Sequence, residues 1–407
     1  MKSKLISTIL AAAMTMTAAA FPAPIQMDAQ ADSLIVRKFD LGGLGAADGY
    51  IGVSASDAYD SAKGYGFAST DAVENVTASG TGALADAVRF KSDVPNHIFH
   101  ADLPSGVYKI TVTTGDVQST IISAEGVSQL FFLTGSNATD TFTIPVTDGQ
   151  LNIYAGSGVG TEFSLSTIEI EQISTGTTTK PTIWVGGDST AASRYNVTED
   201  AVHGWGQFLP DYVDMSQYDV RNISASGITS SDLNKALFGT IEHYGKSGDI
   251  LLLAVGINDY TKAYQTNPTS PDPASYIANM KDMVQRAKAK GMTVYLVKQH
   301  GQINDTAKYP LPKSRWFNDA IDEIAETEQA AVMDLFTPWL ELSLENKYFE
   351  MEEYYTDDSL HLNADGADKM AEMVSELLFP PKKQGDVSDD PYKDFDTAST
   401  VYYRTEA

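Results

Sequence analysis

Four short blocks of the chain carry residue types that together suit hydrolysis of an ester. They are Gly187-Asp188-Ser189-Thr190, Asn222-Ile223-Ser224-Ala225-Ser226-Gly227, Gly256-Ile257-Asn258-Asp259 and Asp358-Ser359-Leu360-His361. A serine hydroxyl attacks a carbonyl effectively only when an imidazole takes its proton. The imidazole in turn needs an acceptor on its other nitrogen, to fix the tautomer and steady the imidazolium. Asp358 and His361, three residues apart on one loop, can sit side by side for that purpose. The tetrahedral oxyanion needs donors. The backbone N–H of Ser189, the backbone N–H of Gly227 and the side-chain amide of Asn258 can supply three, each worth about 2.7–4 kcal/mol. Glycine at 227 lets the backbone approach a substrate closely.

Composition narrows the alternatives. The 407 residues include no cysteine, which excludes disulfides, Cys-ligated zinc, iron–sulfur clusters and a thiol nucleophile. Six histidines remain: His97, His100, His203, His243, His300 and His361. The 54 acidic and 28 basic side chains give a net charge of −26. Nucleic acids and anionic membranes bind clustered Lys and Arg, so neither is an expected partner.

The elements that must position the four blocks follow from periodicity. Residues 34–173 read as an all-β sandwich. Alternating runs such as Val107–Val112, Gln118–Ile122, Thr141–Val146, Leu151–Tyr154 and Phe163–Ile170 recur between turn residues, with no helical period among them. Residues 174–181 form a polar linker. From 182 to 379 strands alternate with helices. Ile183–Val185, Val220–Ile223, Asp249–Val255, Thr293–Val297 and Ala331–Phe336 predict five strands. Helices are expected over Pro273–Lys290, over Ser314–Gln329, and from an Asn363 cap with Met370, Ala371, Val374, Leu377 and Leu378 on one stripe. Such alternation implies a doubly wound parallel sheet. Ligands in that architecture bind at the carboxyl ends of the strands, where all four blocks fall. Residues 380–407 read as a loosely ordered tail.

The blocks Gly187-Asp188-Ser189, Gly227, Gly256-x-Asn258-Asp259 and Asp358-x-x-His361 resemble, in order and spacing, those of SGNH (GDSL-type) hydrolases. The resemblance covers roughly residues 182–379. It implies a flavodoxin-like α/β domain with Ser189 as nucleophile, His361 as base, Asp358 as its orienting partner, and Ser189, Gly227 and Asn258 as the oxyanion hole. Gly187–Ala192 and Gly204-Trp205-Gly206-Gln207 further resemble the rhamnogalacturonan acetylesterases. Phe39-Asp40-Leu41-Gly42, Gly49-Tyr50 and Gly64-Tyr65-Gly66-Phe67 resemble the galactose-binding-like sandwich that precedes the esterase domain in bacterial members. Ile228, Ile257 and Lys298-Gln299-His300-Gly301 depart from the usual pattern of that branch.

The resemblance implies an esterase removing O-acetyl groups from plant cell-wall polysaccharide, with no cofactor and no metal. A lipase, arylesterase or thioesterase on small esters is the nearest alternative, and a carbohydrate-binding surface protein with an inactive hydrolase domain is another. Lys2 and Lys4 precede an apolar run from Leu5 to Ala20, the pattern of a signal peptide within residues 1–31. Secretion from a bacterium is therefore expected, with no membrane span in the mature chain. Losing Lys2, Lys4 and Asp28 makes the charge one unit more negative. Against an acidic polymer that charge repels, unless Arg194, Arg221, Lys298 and Arg315 form a local basic patch. His203 and His300 read as ordinary loop residues and Trp205 as core packing. Asp40, Asp57 and Asp60 read as a solvated acidic loop in preference to a calcium site.

Overall fold

The computed structural model describes residues 34–91, 93–266, 273–302, 315–345, 351–358 and 360–380. The expected leader, the tail beyond 380, Ser314 and Ser359 lie outside them. The first twelve strands are β1 (Val36–Leu41), β2 (Ile51–Val53), β3 (Tyr65–Phe67), β4 (Val73–Thr77), β5 (Asp86–Phe90), β6 (Phe99–Asp102), β7 (Gly106–Thr114), β8 (Ser119–Ala124), β9 (Val127–Thr134), β10 (Thr139–Val146), β11 (Gln150–Val159) and β12 (Ser164–Ser174). They form two facing sheets. One runs β10-β7-β12-β1-β2, with β5 added to β12 and β4 to β5; the other runs β3-β6-β11-β8-β9. The pairing of β1 with β2 is parallel, with Phe39 opposite Ile51, and the other pairings are antiparallel. Period-two alternation turns Ile110 and Val112 of β7, and Ile168 and Ile170 of β12, into a core shared with Phe39, Phe67 and Phe99.

The second half is a five-stranded parallel sheet of β13 (Thr182–Gly187), β14 (Asp219–Asn222), β15 (Ile250–Ala254), β16 (Thr293–Lys298) and β17 (Ala331–Asp334). Its order is β14-β13-β15-β16-β17, the doubly wound arrangement expected. The middle strand β15 is buried on both faces. Leu251 and Leu253 join one core and Leu252 and Ala254 the other. On the first face lie α1 (Ser230–Asp232), a π-helical stretch at Leu233–Leu237, α2 (Phe238–Tyr244), α4 (Ala274–Ala289) and α5 (Trp316–Glu328). On the other lie α6 (Phe336–Glu345) and α7 (Ala364–Leu378). Helix α3 (Ile257–Thr266) leads off from the end of β15.

Asn363 caps α7 as expected, its Oδ1 accepting the Gly366 N–H at 3.0 Å. Met370, Ala371, Val374 and Leu378 are buried, but Leu377 is 43% exposed. At 100° per residue it lies only about 20° from Met370, so periodicity puts it on the stripe and its exposure in the last turn is a matter of packing. Trp205 is buried in the core beneath α7. No helix of the described residues is long and apolar enough to cross a membrane.

The two halves meet along β9, an outer strand of its sheet. An exposed edge invites unwanted pairing, and here α2 packs against it, with Thr240 donating to the Ser128 carbonyl at 2.8 Å. Gln129 reaches across, donating to the Tyr244 hydroxyl at 3.1 Å and accepting from Arg221 at 2.5 Å. The Arg221 guanidinium lies 4.5 Å from the Trp184 ring centroid and 5.2 Å from that of Tyr244. Burial lowers its pKa to about 10, still cationic at neutral pH.

Candidate active site

The carboxyl end of β13 delivers the serine. A Cβ on Gly187 would sit 2.8 Å from the Ala254 carbonyl and 3.1 Å from Ser224 Oγ, so glycine is what lets this strand end approach its neighbours. The chain then turns tightly, with the Ala191 and Ala192 N–H groups both donating to the Asp188 carbonyl at 3.1 Å. Asp188 is fully enclosed. Its carboxylate accepts from the Thr190 N–H at 3.0 Å, Thr190 Oγ1 at 2.9 Å, the Gly256 N–H at 3.3 Å and Gln299 Nε2 at 2.9 Å. Burial pushes its pKa up, and those donors oppose the shift. Asp188 thereby ties the ends of β13, β15 and β16 together behind Ser189, which is itself largely buried.

The loop before α7 delivers the imidazole. Ser189 Oγ lies 2.7 Å from His361 Nε2, and His361 Nδ1 is hydrogen-bonded to Asp358 Oδ2. The other Asp358 oxygen accepts the backbone N–H of Leu360 at 2.9 Å and of His361 at 2.8 Å, and the Thr356 hydroxyl at 3.1 Å. Burial alone would raise the Asp358 pKa. The His361 side chain and the two backbone donors outweigh it and bring the pKa down to about 2. Asp358 is therefore an anion wherever the imidazole is neutral.

The remaining blocks carry further hydrogen-bond donors. Gly227 has φ +73°, and a Cβ there would meet no atom within 4 Å. The requirement for glycine is thus conformational and not steric crowding. Asn258, in the first turn of α3, donates one amide hydrogen to the Ile228 carbonyl at 2.9 Å, which leaves its second hydrogen for another acceptor. Asp259 accepts from the Ser230 N–H at 2.8 Å and from Ser230 Oγ at 2.7 Å, locking α3 to the segment after Gly227. Among the described residues, the backbone N–H groups of Ser189 and Gly227 donate to no protein acceptor. The arrangement can deprotonate a hydroxyl, hold the resulting imidazolium and offer donors to a developing oxyanion.

Gln299 was given no role in the sequence reading, and His203 and His300, read there as ordinary loop residues, also support the site. Gln299 donates to Asp188, to Thr190 Oγ1 at 3.0 Å and to the Ala254 carbonyl at 3.1 Å. His300 is buried and donates Nε2–H to the Leu360 carbonyl at 3.2 Å. His203 donates its backbone N–H to the Leu362 carbonyl at 2.8 Å. Both histidines hold the loop that carries His361 and are not ordinary loop residues. Gln299 and His300 directly follow β16, so their position at a strand's carboxyl end was the available signal.

The anticipated basic patch does not assemble. Arg221 is sealed in the seam between the halves, Lys298 pairs with Asp322 at 2.8 Å, and Arg315 donates to Gln302 at 2.6 Å. Arg194 lines a groove together with Ala192, Ser193 and Ser226. The acidic residues of the sandwich are engaged locally. Asp40 accepts the Ala47 N–H, Asp57 pairs with Lys63 at 2.8 Å, and Asp60 accepts the Ala62 N–H.

Each half of the chain is similar to known proteins. Residues 37–171 match the family model for the β-agarase/YXIM esterase-like, galactose-binding domain-like module. Residues 185–369 match the GDSL-like lipase/acylhydrolase family. The uncharacterized esterase YxiM of Bacillus subtilis (strain 168) is 38% identical over 364 residues, covering 86% of this chain and 91% of that protein. A crystal structure of the Bacillus subtilis YxiM protein superposes with a TM-score of 0.79 at 36% identity, covering 84% of this chain and 98% of that one. The chain belongs to the GDSL-like lipase/acylhydrolase family, in the YxiM-like form that places a galactose-binding-like domain before the hydrolase domain.

Proposed function

We propose that this protein is a secreted serine esterase that removes O-acetyl groups from plant cell-wall polysaccharide. The observation that carries the reading is the chain of contacts from Ser189 Oγ through His361 to Asp358, set beside the unpaired N–H groups of Ser189 and Gly227. Ser189 attacks the acetyl carbonyl as His361 Nε2 takes its proton, and Asp358 steadies the imidazolium. The oxyanion is held by the Ser189 and Gly227 N–H groups and the free amide hydrogen of Asn258. His361 then protonates the departing sugar hydroxyl. Water, deprotonated by the same imidazole, attacks the acetyl-serine and releases acetate.

The polymeric substrate is supported by the pairing of a galactose-binding-like module with the hydrolase domain. Export is supported by the charged and apolar pattern of residues 1–20. The test is acetate release from acetylated pectin, acetylated xylan and small aryl acetates by the wild type and Ser189→Ala. Loss of all three activities in the mutant is expected, and a mutant that keeps its activity overturns the mechanism. Preference for long acyl chains replaces the polysaccharide reading with a lipase-type one. Polysaccharide binding with no turnover of any ester points to an inactive hydrolase domain. Sequencing the N-terminus of the protein recovered from culture medium tests export.

A further inference from the structure

A groove of about 410 Å³ runs between the sandwich and the hydrolase domain, lined by the chain neighbours of Ser189 and Gly227 and not by those two residues themselves. Phe131, Phe132 and Val159 line it from the sandwich. Ser193, Arg194 and Ser226 line it from the segments that follow Ser189 and precede Gly227. The volume lies within the range of small-ligand sites.

Two features of the groove are unusual. On the sandwich side, Thr120 pairs with Leu133 and Ile122 with Leu130, so Phe131 and Phe132 together oppose the single residue Ile121. This is a β-bulge. It forces Phe132 to φ +57°, a left-handed conformation rare for a bulky side chain and costing about 1–3 kcal/mol. The distortion turns two successive aromatic rings toward the hydrolase domain, where Phe131 is buried and Phe132 half-buried. A regular strand would have sent one of them to the opposite face.

On the hydrolase side, Arg194 is half-buried and makes no salt bridge among the described residues, the enclosed Asp188 carboxylate attracting it only from beyond contact distance. Its guanidinium makes one long bond, 3.4 Å to the Ser193 carbonyl. Arg89 and Arg286, by contrast, each sit between two carboxylates. The segment bearing Arg194 is pinned. Its N–H donates to Gln207 at 2.8 Å, Tyr195 is hydrogen-bonded to Asp140, and Asn196 donates to the Ser136 carbonyl at 2.8 Å. An unpaired guanidinium held on a fixed loop in a chain of net charge −26 suits an anionic ligand.

We propose that this groove is the sugar-side subsite of the esterase, holding a uronate residue of an acidic acetylated glycan with its carboxylate on Arg194 and its ring against Phe132. The subsite rests on the esterase reading for its role in turnover, though not for binding. The sandwich thereby acts as one wall of the substrate cleft, and Arg194 offsets the repulsion that the net charge imposes.

The test compares an oligogalacturonate with its methyl-esterified, neutral form, both free of acetyl groups, by calorimetric binding to the full chain. Acetylated versions of the pair are compared by kcat/KM. The wild type is expected to favour the acidic form by at least about tenfold at low salt, as a charge-assisted Arg–carboxylate contact provides, with added salt eroding the preference. Arg194→Gln collapses the ratio toward one, Arg194→Lys keeps part of it, and Phe132→Ala weakens both forms alike. Equal wild-type binding of the two forms overturns the proposal, as does a preference that survives in a folded Arg194→Gln. Equal wild-type binding decides against the proposal without any variant, and Arg194→Lys, which keeps the charge, gives a second variant should Arg194→Gln fail to fold. Hydrolysis of an aryl acetate that depends on Ser189, without any preference for the acidic glycan, overturns the subsite and leaves the esterase reading standing. Acid-selective binding without ester turnover supports the subsite and overturns the esterase reading.

Discussion

His300 donates Nε2–H to the carbonyl of Leu360 over 3.2 Å, directly beneath the loop that carries Asp358 and His361. Trp339 and Tyr355 enclose the ring, and Tyr355 is itself fixed by donating to the Gly301 carbonyl at 2.8 Å. Burial lowers the His300 pKa to about 4; the Leu360 hydrogen bond opposes this, and the charge of His361 adds to it. His300 is thus neutral in the fold where an unfolded histidine, with a pKa of about 6.5, takes up a proton. The unfolded chain binds more protons in that window, so stability is full above pH 6.5 and falls as pH drops toward 4. The loss approaches the order of 3 kcal/mol at the acid end. Thermal midpoints measured against pH are expected to fall less steeply for His300→Gln than for the wild type, and parallel curves contradict this.

Asp358 tests the orientation of the imidazole. Asparagine keeps its shape but removes the charge and permits the wrong tautomer at His361. Steady-state kinetics of Asp358→Asn should show kcat reduced about 10²–10⁴-fold with KM nearly unchanged. A variant within about threefold of the wild type excludes the assigned role.

Gly227→Ala separates strain from crowding. A Cβ has open space there, yet φ is +73°, so the cost is about 1–2 kcal/mol of backbone strain. The variant is expected to fold with a lowered thermal midpoint. Its kcat should drop at least about tenfold, because relaxing φ tilts the N–H away from the oxyanion.

Asn258→Ala removes one donor and leaves the Ile228 carbonyl without its partner. The expected loss is about 10²–10³-fold in kcat with little change in KM, read from kinetics on a small aryl acetate. A change in KM alone would instead assign Asn258 to ground-state binding.

Gln299→Leu addresses the enclosed carboxylate of Asp188, which loses the donor that β16 supplies. Denaturant unfolding should show destabilisation of about 2–4 kcal/mol, because a buried charged acceptor is left short of a partner. A stability within about 0.5 kcal/mol of the wild type would show that Thr190 and Gly256 suffice.

Much of the framework was legible because its signals are local. The apolar run 250–255 is what a strand buried on both faces requires, and Asn363 followed by a helical period is the pattern of a capped helix. Leu377 was misplaced because helical period fixes the face a residue lies on, but not whether that turn of the helix is covered by a neighbour. The parallel pairing of β1 with β2 escaped notice because pairing partners are set by contacts distant in sequence, which alternation does not encode.

The linear order of residues by itself determined the two-part architecture and the four blocks at strand ends, since hydrophobic period and strand direction are properties of short segments. The tertiary structure alone decided which side chains stand behind them. Gln299, His300 and His203 acquire their roles from register and burial, which bring residues 60 to 160 positions away in the chain within hydrogen-bond reach. It also decided that Arg221 is sealed in the seam while Arg194 stays unpaired in the groove. Desolvation and partner geometry depend on how the two domains pack, and no local pattern records that packing.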